Sequence, residues 1–391
     1  MRLSLRLESE QNDRAIRYIL FRQSPNLYAW NTARAGSVAY PNVREARLFH
    51  PTRGRQFFDL GSIHYCGMWE EMTMRQIDIV MPVGPKDTAR ARFSLEGIVR
   101  NSLNPIRHIY IITPERFAIS LPDRVPVHWV RDAEFPFSIH EIQEIFRKKN
   151  SIYENASWYY QQLLKFYAFR IIEGLSDSFL ILDSDFMFTK KTRFLTEDGK
   201  GILAFGYPFK WMLGTNRYPE KVEHIHAEFA SRLIPGWSTA HPYGGMQHHM
   251  LFQRPILEDL FSIVERKWQR EFWKAFIHGV DVHKWNAAAE YVIYHHFALQ
   301  RHADKITPRH LDACDIIFDS EDDGPPWNTI LDIGKQPRYN AVGFHRFLKL
   351  RERLMTMDYI PDTLRQRMLD AKYPVFRLVL QNGILTIDAM P

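Results

Sequence analysis

Phe179-Leu180-Ile181-Leu182-Asp183-Ser184-Asp185-Phe186-Met187-Phe188 is the stretch whose reading decides the fold. Four apolar residues run into Asp-Ser-Asp, and three bulky residues follow. Gly174, Ser176 and Asp177 precede the run as turn-type residues, so this short apolar segment reads as a strand buried on both faces. Carboxylates at its carboxyl end are costly to bury unless positive charge meets them. In open α/β sheets, that end of the strands is where ligands bind. Two aspartates one residue apart can both reach a hard divalent cation, which prefers oxygen ligands and leaves positions open for phosphate oxygens. Asp is also common in turns, and the tripeptide alone fits that use equally well.

The residues upstream add weight. From Ser157 to Ile172, Tyr160, Leu163, Leu164, Tyr167 and Ile171 recur at three- and four-residue intervals, predicting an amphipathic helix with Ser157 as N-cap and Gly174 as stop. Ile77-Asp78-Ile79-Val80-Met81-Pro82-Val83 reads as a first strand, followed by a Gly84-Pro85-Lys86-Asp87 loop and a helix around Phe93, Ile98 and Val99. Ile109–Ile112 and Val127–Val130 make a second and a third strand. Strands alternating with helices predict an α/β fold with a mixed, mostly parallel sheet flanked by helices.

A first strand ending in a Pro-containing loop, β/α units, and a helix feeding an apolar strand that ends in Asp-X-Asp together resemble the nucleotide-sugar-binding half of GT-A glycosyltransferases. Tyr160-Gln161-Gln162-Leu163-Leu164-Lys165, Leu180–Asp185 and Gln247-His248-His249-Met250-Leu251-Phe252 also resemble a bacterial and viral group of GT-A-like proteins. The resemblance covers roughly residues 77–345. It implies a Mn²⁺ or Mg²⁺ cofactor, with Asp185 binding the metal and Asp183 touching the ribose or joining the metal sphere. It implies a third metal ligand from a distant His, and His345 stands where that His is expected. The implied donor is a nucleotide diphosphate sugar, UDP-sugar first, and the implied acceptor is a glycan or glycolipid.

Further residues take roles on chemical grounds. The loop after the first strand would hold base and ribose, which singles out Pro82, Val83, Asp87 and Arg90, with Ser184 beside the aspartates. Gln162 and Lys165 lie about one helical turn apart, and Lys165 would reach a phosphate if its face meets the cleft. Adjacent His248 and His249 cannot both chelate one ion from a regular element. One is expected in the pocket and the other in the framework, and His249 is the expected pocket residue and base. Glu290, opening an aromatic helix-like run after Asn286-Ala287-Ala288-Ala289, is the candidate base for an acceptor hydroxyl. Equally, a carboxylate there is favoured by the helix macrodipole.

Composition narrows the classes. At 391 residues with 45% hydrophobic and 14% aromatic content, the chain can build a large core and is not disordered by composition. No segment approaches the roughly 18 consecutive apolar residues of a membrane span, and the N-terminus lacks a secretory apolar centre. Cys66 and Cys314 suggest neither a disulfide framework nor a zinc site. The expected location is the cytoplasm, at most peripheral at the inner face of the membrane. A net charge of +6 favours anionic company, yet the basic residues are scattered without interleaved aromatics, so nucleic acid is not an expected partner.

The expected division is an N-terminal extension or cap over residues 1–75, a GT-A-like catalytic domain over 76–350, and a helix with a hairpin over 351–391. Asn382-Gly383 between two strand-like runs marks the hairpin. Two other activities fit the same fold: a sugar-nucleotide nucleotidyltransferase, and a catalytically silent binding or scaffold protein. The first would need a richer phosphate loop than Gly84-Pro85-Lys86.

Overall fold

The computed structural model describes residues 74–121, 125–151, 155–209, 224–284, 286–319, 338–347, 362–370 and 375–389. The expected N-terminal extension lies outside the described residues up to residue 73. The alternating pattern folds as β1 (Ile77–Pro82), α1 (Thr88–Asn101), β2 (Ile106–Thr113), β3 (Val127–Arg131), α2 (Ile139–Lys148), α3 (Ala156–Ile171) and β4 (Ser178–Leu182). Then come β5 (Phe186–Phe188), β6 (Gly201–Ala204), α4 (Ile225–Leu233), β7 (His249–Gln253), α5 (Arg254–Trp268), α6 (Phe272–Gly279) and α7 (Glu290–Arg301). The chain continues through β8 (Ile306–Arg309), β9 (Ala313–Asp319), β10 (Ala341–Phe347), α8 (Asp362–Asp370), β11 (Val375–Gln381) and β12 (Ile384–Ala389).

The first sheet has the order β3-β2-β1-β4-β7, parallel throughout except for β7, which runs antiparallel to β4. Leu180, Ile181 and Leu182 of β4 have no exposed surface. Each contributes about 2 kcal/mol from apolar burial, which is why this run is a central strand. Helices cover the sheet, so the class is α/β, mixed and mostly parallel.

A second sheet, ordered β12-β11-β9-β10-β5, adjoins it, and β6 pairs with β8 in a third. Here the structure departs from a single-sheet expectation. Leu182 ends β4 in the first sheet, and Phe186 begins β5 in the second. Asp183-Ser184-Asp185 is therefore the step from one sheet to the other, because the backbone of β5 pairs antiparallel with β10 instead of continuing the β4 ladder, while Phe186 and Phe188 stay buried in the main core.

One further expectation changes. The helix before β4 starts two residues earlier than predicted, with Asn155 rather than Ser157 at the N-cap, and the Asn155 side-chain amide donates to Asn286 Oδ1 at 3.1 Å. It is also buried on most of its circumference, Gln162 and Lys165 included, because α2 and α7 pack on the side turned away from β1. A helix buried all round loses the polar face that the periodicity suggested. The C-terminal hairpin forms around Asn382 and Gly383, both at positive φ (50° and 76°). It belongs to the second sheet, since β11 pairs antiparallel with β9.

Candidate metal centre

The turn after β4 is gripped before any side chain of the centre is placed. Ser94 of α1 donates Oγ–H to Ser184 O (2.8 Å), and the same Oγ accepts from Phe186 N–H (3.1 Å). Asp183 N–H donates to His248 O (2.9 Å), extending the β4–β7 ladder by one rung. Phe344 N–H donates to Asp185 O (2.9 Å), which fixes β10 beside the second carboxylate. Thus α1, β7 and β10 all clasp the Asp-Ser-Asp backbone.

Asp183 faces the α3–α7 side. Its Oδ1 receives the Lys165 ammonium at 2.6 Å and the Tyr291 hydroxyl at 3.0 Å. Lys165, only 3% exposed, also donates to Glu290 Oε1 at 2.5 Å and lies 4.5 Å from the centre of the Tyr291 ring. Burial pulls the Lys165 ammonium down, but the Asp183 and Glu290 carboxylates push it above its ordinary value, so it stays charged. Burial would raise Asp183, but Lys165 and then His248 outweigh that and hold its carboxyl well below the usual range. Glu290 is raised, by burial first and despite Lys165.

Asp185 faces the other way. His345 Nδ1 approaches its Oδ2 at 2.9 Å, and Arg90 Nη1 stands 3.7 Å from the same oxygen while bonding Asp87. His248 adopts φ 58°, rare for a residue with a side chain. This backbone brings its imidazole over that of His345, with ring centres 4.3 Å apart and planes inclined by 32°. His248 Nδ1 lies 3.3 Å from Asp183 Oδ2. One ligand atom each from Asp185, His248 and His345 lies within 4.8 Å of the others, a spacing that can hold a metal ion.

The charge balance fits a cation. Asp87, Asp183, Asp185, Glu290 and Asp315 face Lys165 and Arg90, and His345 supplies the remaining positive charge. Burial opposes charging of His345, but Asp185 and Asp315 more than compensate and raise it to about 10. Among these described residues carboxylates outnumber cations, a balance that suits a positively charged ligand. Two imidazoles and one carboxylate form a donor set that suits a first-row transition metal better than Mg²⁺.

The expected site residues divide on this geometry. Asp185 and His345 come together, with Asp87 and Arg90 adjacent and Asp183 in the neighbouring ion-paired network. His248, not His249, is the imidazole at the centre. His249 is 2% exposed, stacks 5.5 Å from Phe186, and meets Phe188 and Phe194 edge-on. Its Nδ1 contacts Gln247 O at 2.8 Å, and burial lowers its pKa to about 3, which keeps the ring neutral. The reason is the change of backbone direction at His248, which sends the two rings apart.

Lys165 is committed to carboxylates rather than free for a phosphate, and Glu290 is committed to Lys165. Gln162 is a framework residue: its side chain donates to Ala288 O at 3.0 Å, tying α3 to the approach of α7. Val83 is a buried wall (2% exposed), and Pro82 ends β1 half-buried. Ser184 contributes its carbonyl to the Ser94 clamp and is itself buried. Sequence reasoning missed Tyr291, Ser94 and Asp315. Asp315 carried a signal, a lone carboxylate inside the apolar run Ala313–Phe318.

A separate concavity of about 640 Å³ is lined by Lys149, Arg232, Lys267, Trp268, His278 and Asp281. Its lysines bond carbonyls near helix ends: Lys149 to Val280 O (2.6 Å) and His278 O (3.1 Å), and Lys267 to Arg232 O. That is C-terminal helix capping, a structural use of charge.

Among the described residues, no helix is long and apolar enough to cross a membrane. Residues 74–315 match the family described as "Family of unknown function (DUF6492)", a segment that includes the Asp-Ser-Asp turn, His248 and Asp315 and stops before β10. No curated protein matches the chain.

Proposed function

We propose that this chain, which belongs to the DUF6492 family, is a metal-dependent glycosyltransferase of GT-A type. It would move a sugar from a nucleotide diphosphate sugar, UDP-sugar first, to a glycan or glycolipid acceptor. The observation that carries the reading is the position of Asp185: at the carboxyl end of a central parallel strand, where two sheets meet, with His248 and His345 beside it. That end of an open α/β sheet is the usual ligand crevice.

Asp185, His248 and His345 would hold the cation, Mn²⁺ before Mg²⁺. A cation there, when bound, supplies positive charge to stabilise a departing diphosphate. The chain's own residues set the surroundings. Lys165 and Tyr291 keep Asp183 ionised and in place. Arg90, bridging Asp87 and Asp185, suits a phosphate oxygen or a ribose hydroxyl, with Asp87 beside it. Glu290 is not carried forward as the acceptor base, because its carboxylate is bonded to a buried ammonium.

The test is a thermal-shift panel of UDP, GDP, CDP, dTDP and UDP-sugars with and without Mn²⁺, wild type beside Asp185→Asn. Ligand at a hundred times its Kd stabilises by about 2.7 kcal/mol. A Mn²⁺-dependent rise for one nucleotide, lost in Asp185→Asn, is the expected outcome. A folded wild type that responds to no nucleotide, with or without Mn²⁺, would refute the reading.

A further inference from the structure

Behind the two imidazoles lies a third carboxylate. Asp315 is 1% exposed and comes from β9, opposite Gly343 of β10. Its Oδ2 stands 3.7 Å from His248 Nε2, and its Oδ1 stands 3.6 Å from His345 Nε2. Neither distance is a completed hydrogen bond. Asp315 Oδ1 and His345 Nε2 both lack a hydrogen-bond partner, although both are buried. A buried donor and a buried acceptor left facing each other are expensive unless something draws them together.

The backbone is arranged around this meeting. A Cβ on Gly343 would fall on Asp315 Oδ1 and on His345 Nε2. Gly343 has no positive φ to explain it, so the space above it is the reason a side chain is excluded. Asp315 and His345 project over that gap from neighbouring parallel strands, and His248 reaches it from the start of β7.

We propose that Asp315 is a shared positioning residue: one buried carboxylate that accepts from the far nitrogens of both His248 and His345 and so orients both rings toward the metal. An imidazole that gives one nitrogen to a cation must carry its proton on the other, and that N–H needs an acceptor. His345 turns Nδ1 to Asp185 and Nε2 to Asp315, which is this division of roles. A carboxylate has two oxygens and can serve two such donors at once, whereas an amide has one acceptor and a donor that would repel the second N–H. The inference rests on the metal-dependent reading above.

The experiment is Mn²⁺ binding by calorimetry to wild type, Asp315→Asn and Gly343→Ala, each with its melting temperature, and the visible spectrum of the Co²⁺-loaded forms. Asp315→Asn is expected to weaken Mn²⁺ binding by about 10- to 100-fold, the usual cost of losing such an outer carboxylate, and to shift the Co²⁺ bands. Gly343→Ala, which leaves every ligand present, is expected to weaken binding in the same direction by displacing Asp315 and His345. If Asp315→Asn does not fold, Gly343→Ala alone decides. A folded variant with lowered melting temperature but wild-type Mn²⁺ affinity would overturn the positioning role and leave the metal centre intact. A wild type that binds no Mn²⁺ would overturn the metal reading, and this inference with it.

Discussion

Replacing Lys165 by Met tests the electrostatic keystone between α3, β4 and α7. The ammonium is nearly inaccessible and contacts Asp183 at 2.6 Å and Glu290 at 2.5 Å. Met fills a similar volume, so the main loss is charge. Removing one partner of a buried ion pair costs about 3–5 kcal/mol, because the remaining charge is left uncompensated. Here two carboxylates remain, and Asp183 keeps only Tyr291 and His248. With an unfolding entropy of about 2.1 cal/mol/K per residue over the roughly 260 described residues, 4 kcal/mol lowers the melting temperature by about 7 °C.

The penalty carries a pH signature. Glu290 is already raised by burial, and without Lys165 it rises further. A carboxyl whose folded pKa exceeds its unfolded one costs stability when ionised, and the cost is relieved as pH falls through the folded value. The Lys165→Met penalty is therefore larger at pH 7.5 than at pH 5, and Lys165→Met/Glu290→Gln costs less than the two single changes added together. Guanidinium denaturation at both pH values measures this. A Lys165→Met penalty below 1 kcal/mol at pH 7.5, or one that grows on acidification, would refute the reasoning.

The adjacent histidines separate binding from folding. His248→Ala is expected to lose Mn²⁺ binding with little change in melting temperature, while His249→Ala, which empties a site among Phe186, Phe188 and Phe194, costs about 2–4 kcal/mol and keeps Mn²⁺ binding; calorimetry and melting curves on both variants check it. Acid should destabilise the metal-free protein well above the carboxylate range. His226, His249 and His296 are lowered to about 3 and His241 to about 4, each chiefly by burial, so each contributes stability above its unfolded value of 6.5 that is lost as pH falls below it. Each loses about 1.4 kcal/mol between pH 7.5 and 5.5. His345, raised to about 10, runs the other way: its contribution is complete below 6.5 and disappears as pH rises through 10. It regains about 1.4 kcal/mol over the same interval, so these five residues together lose about 4 kcal/mol, and His295, which burial also holds well below its ordinary value, adds to the loss. Unfolding free energies at the two pH values that agree within 1 kcal/mol would contradict this.

The sequence by itself determined what depends on neighbours along the chain. Leu180-Ile181-Leu182 is legible as a buried strand because an apolar run of that length has few other uses, and Asp183 and Asp185 end it visibly. The β/α alternation from Ile77 onward and the Asn382-Gly383 hairpin are legible for the same reason, since periodicity and turn preference are local. The partners of those aspartates are not local. His248 and His249 are indistinguishable as letters, and only the left-handed backbone at His248 decides which ring meets Asp185 and which packs against Phe186. Lys165 reads as a solvated or phosphate-binding lysine until α3 is enclosed by α2 and α7, and then it can only serve Asp183 and Glu290. Asp315 and Gly343 acquire meaning from the parallel register of β9 and β10, a pairing of segments that no spacing along the chain encodes. Tertiary structure decided these because charge compensation and steric room depend on distance in space, and strand pairing sets that distance between residues far apart in sequence.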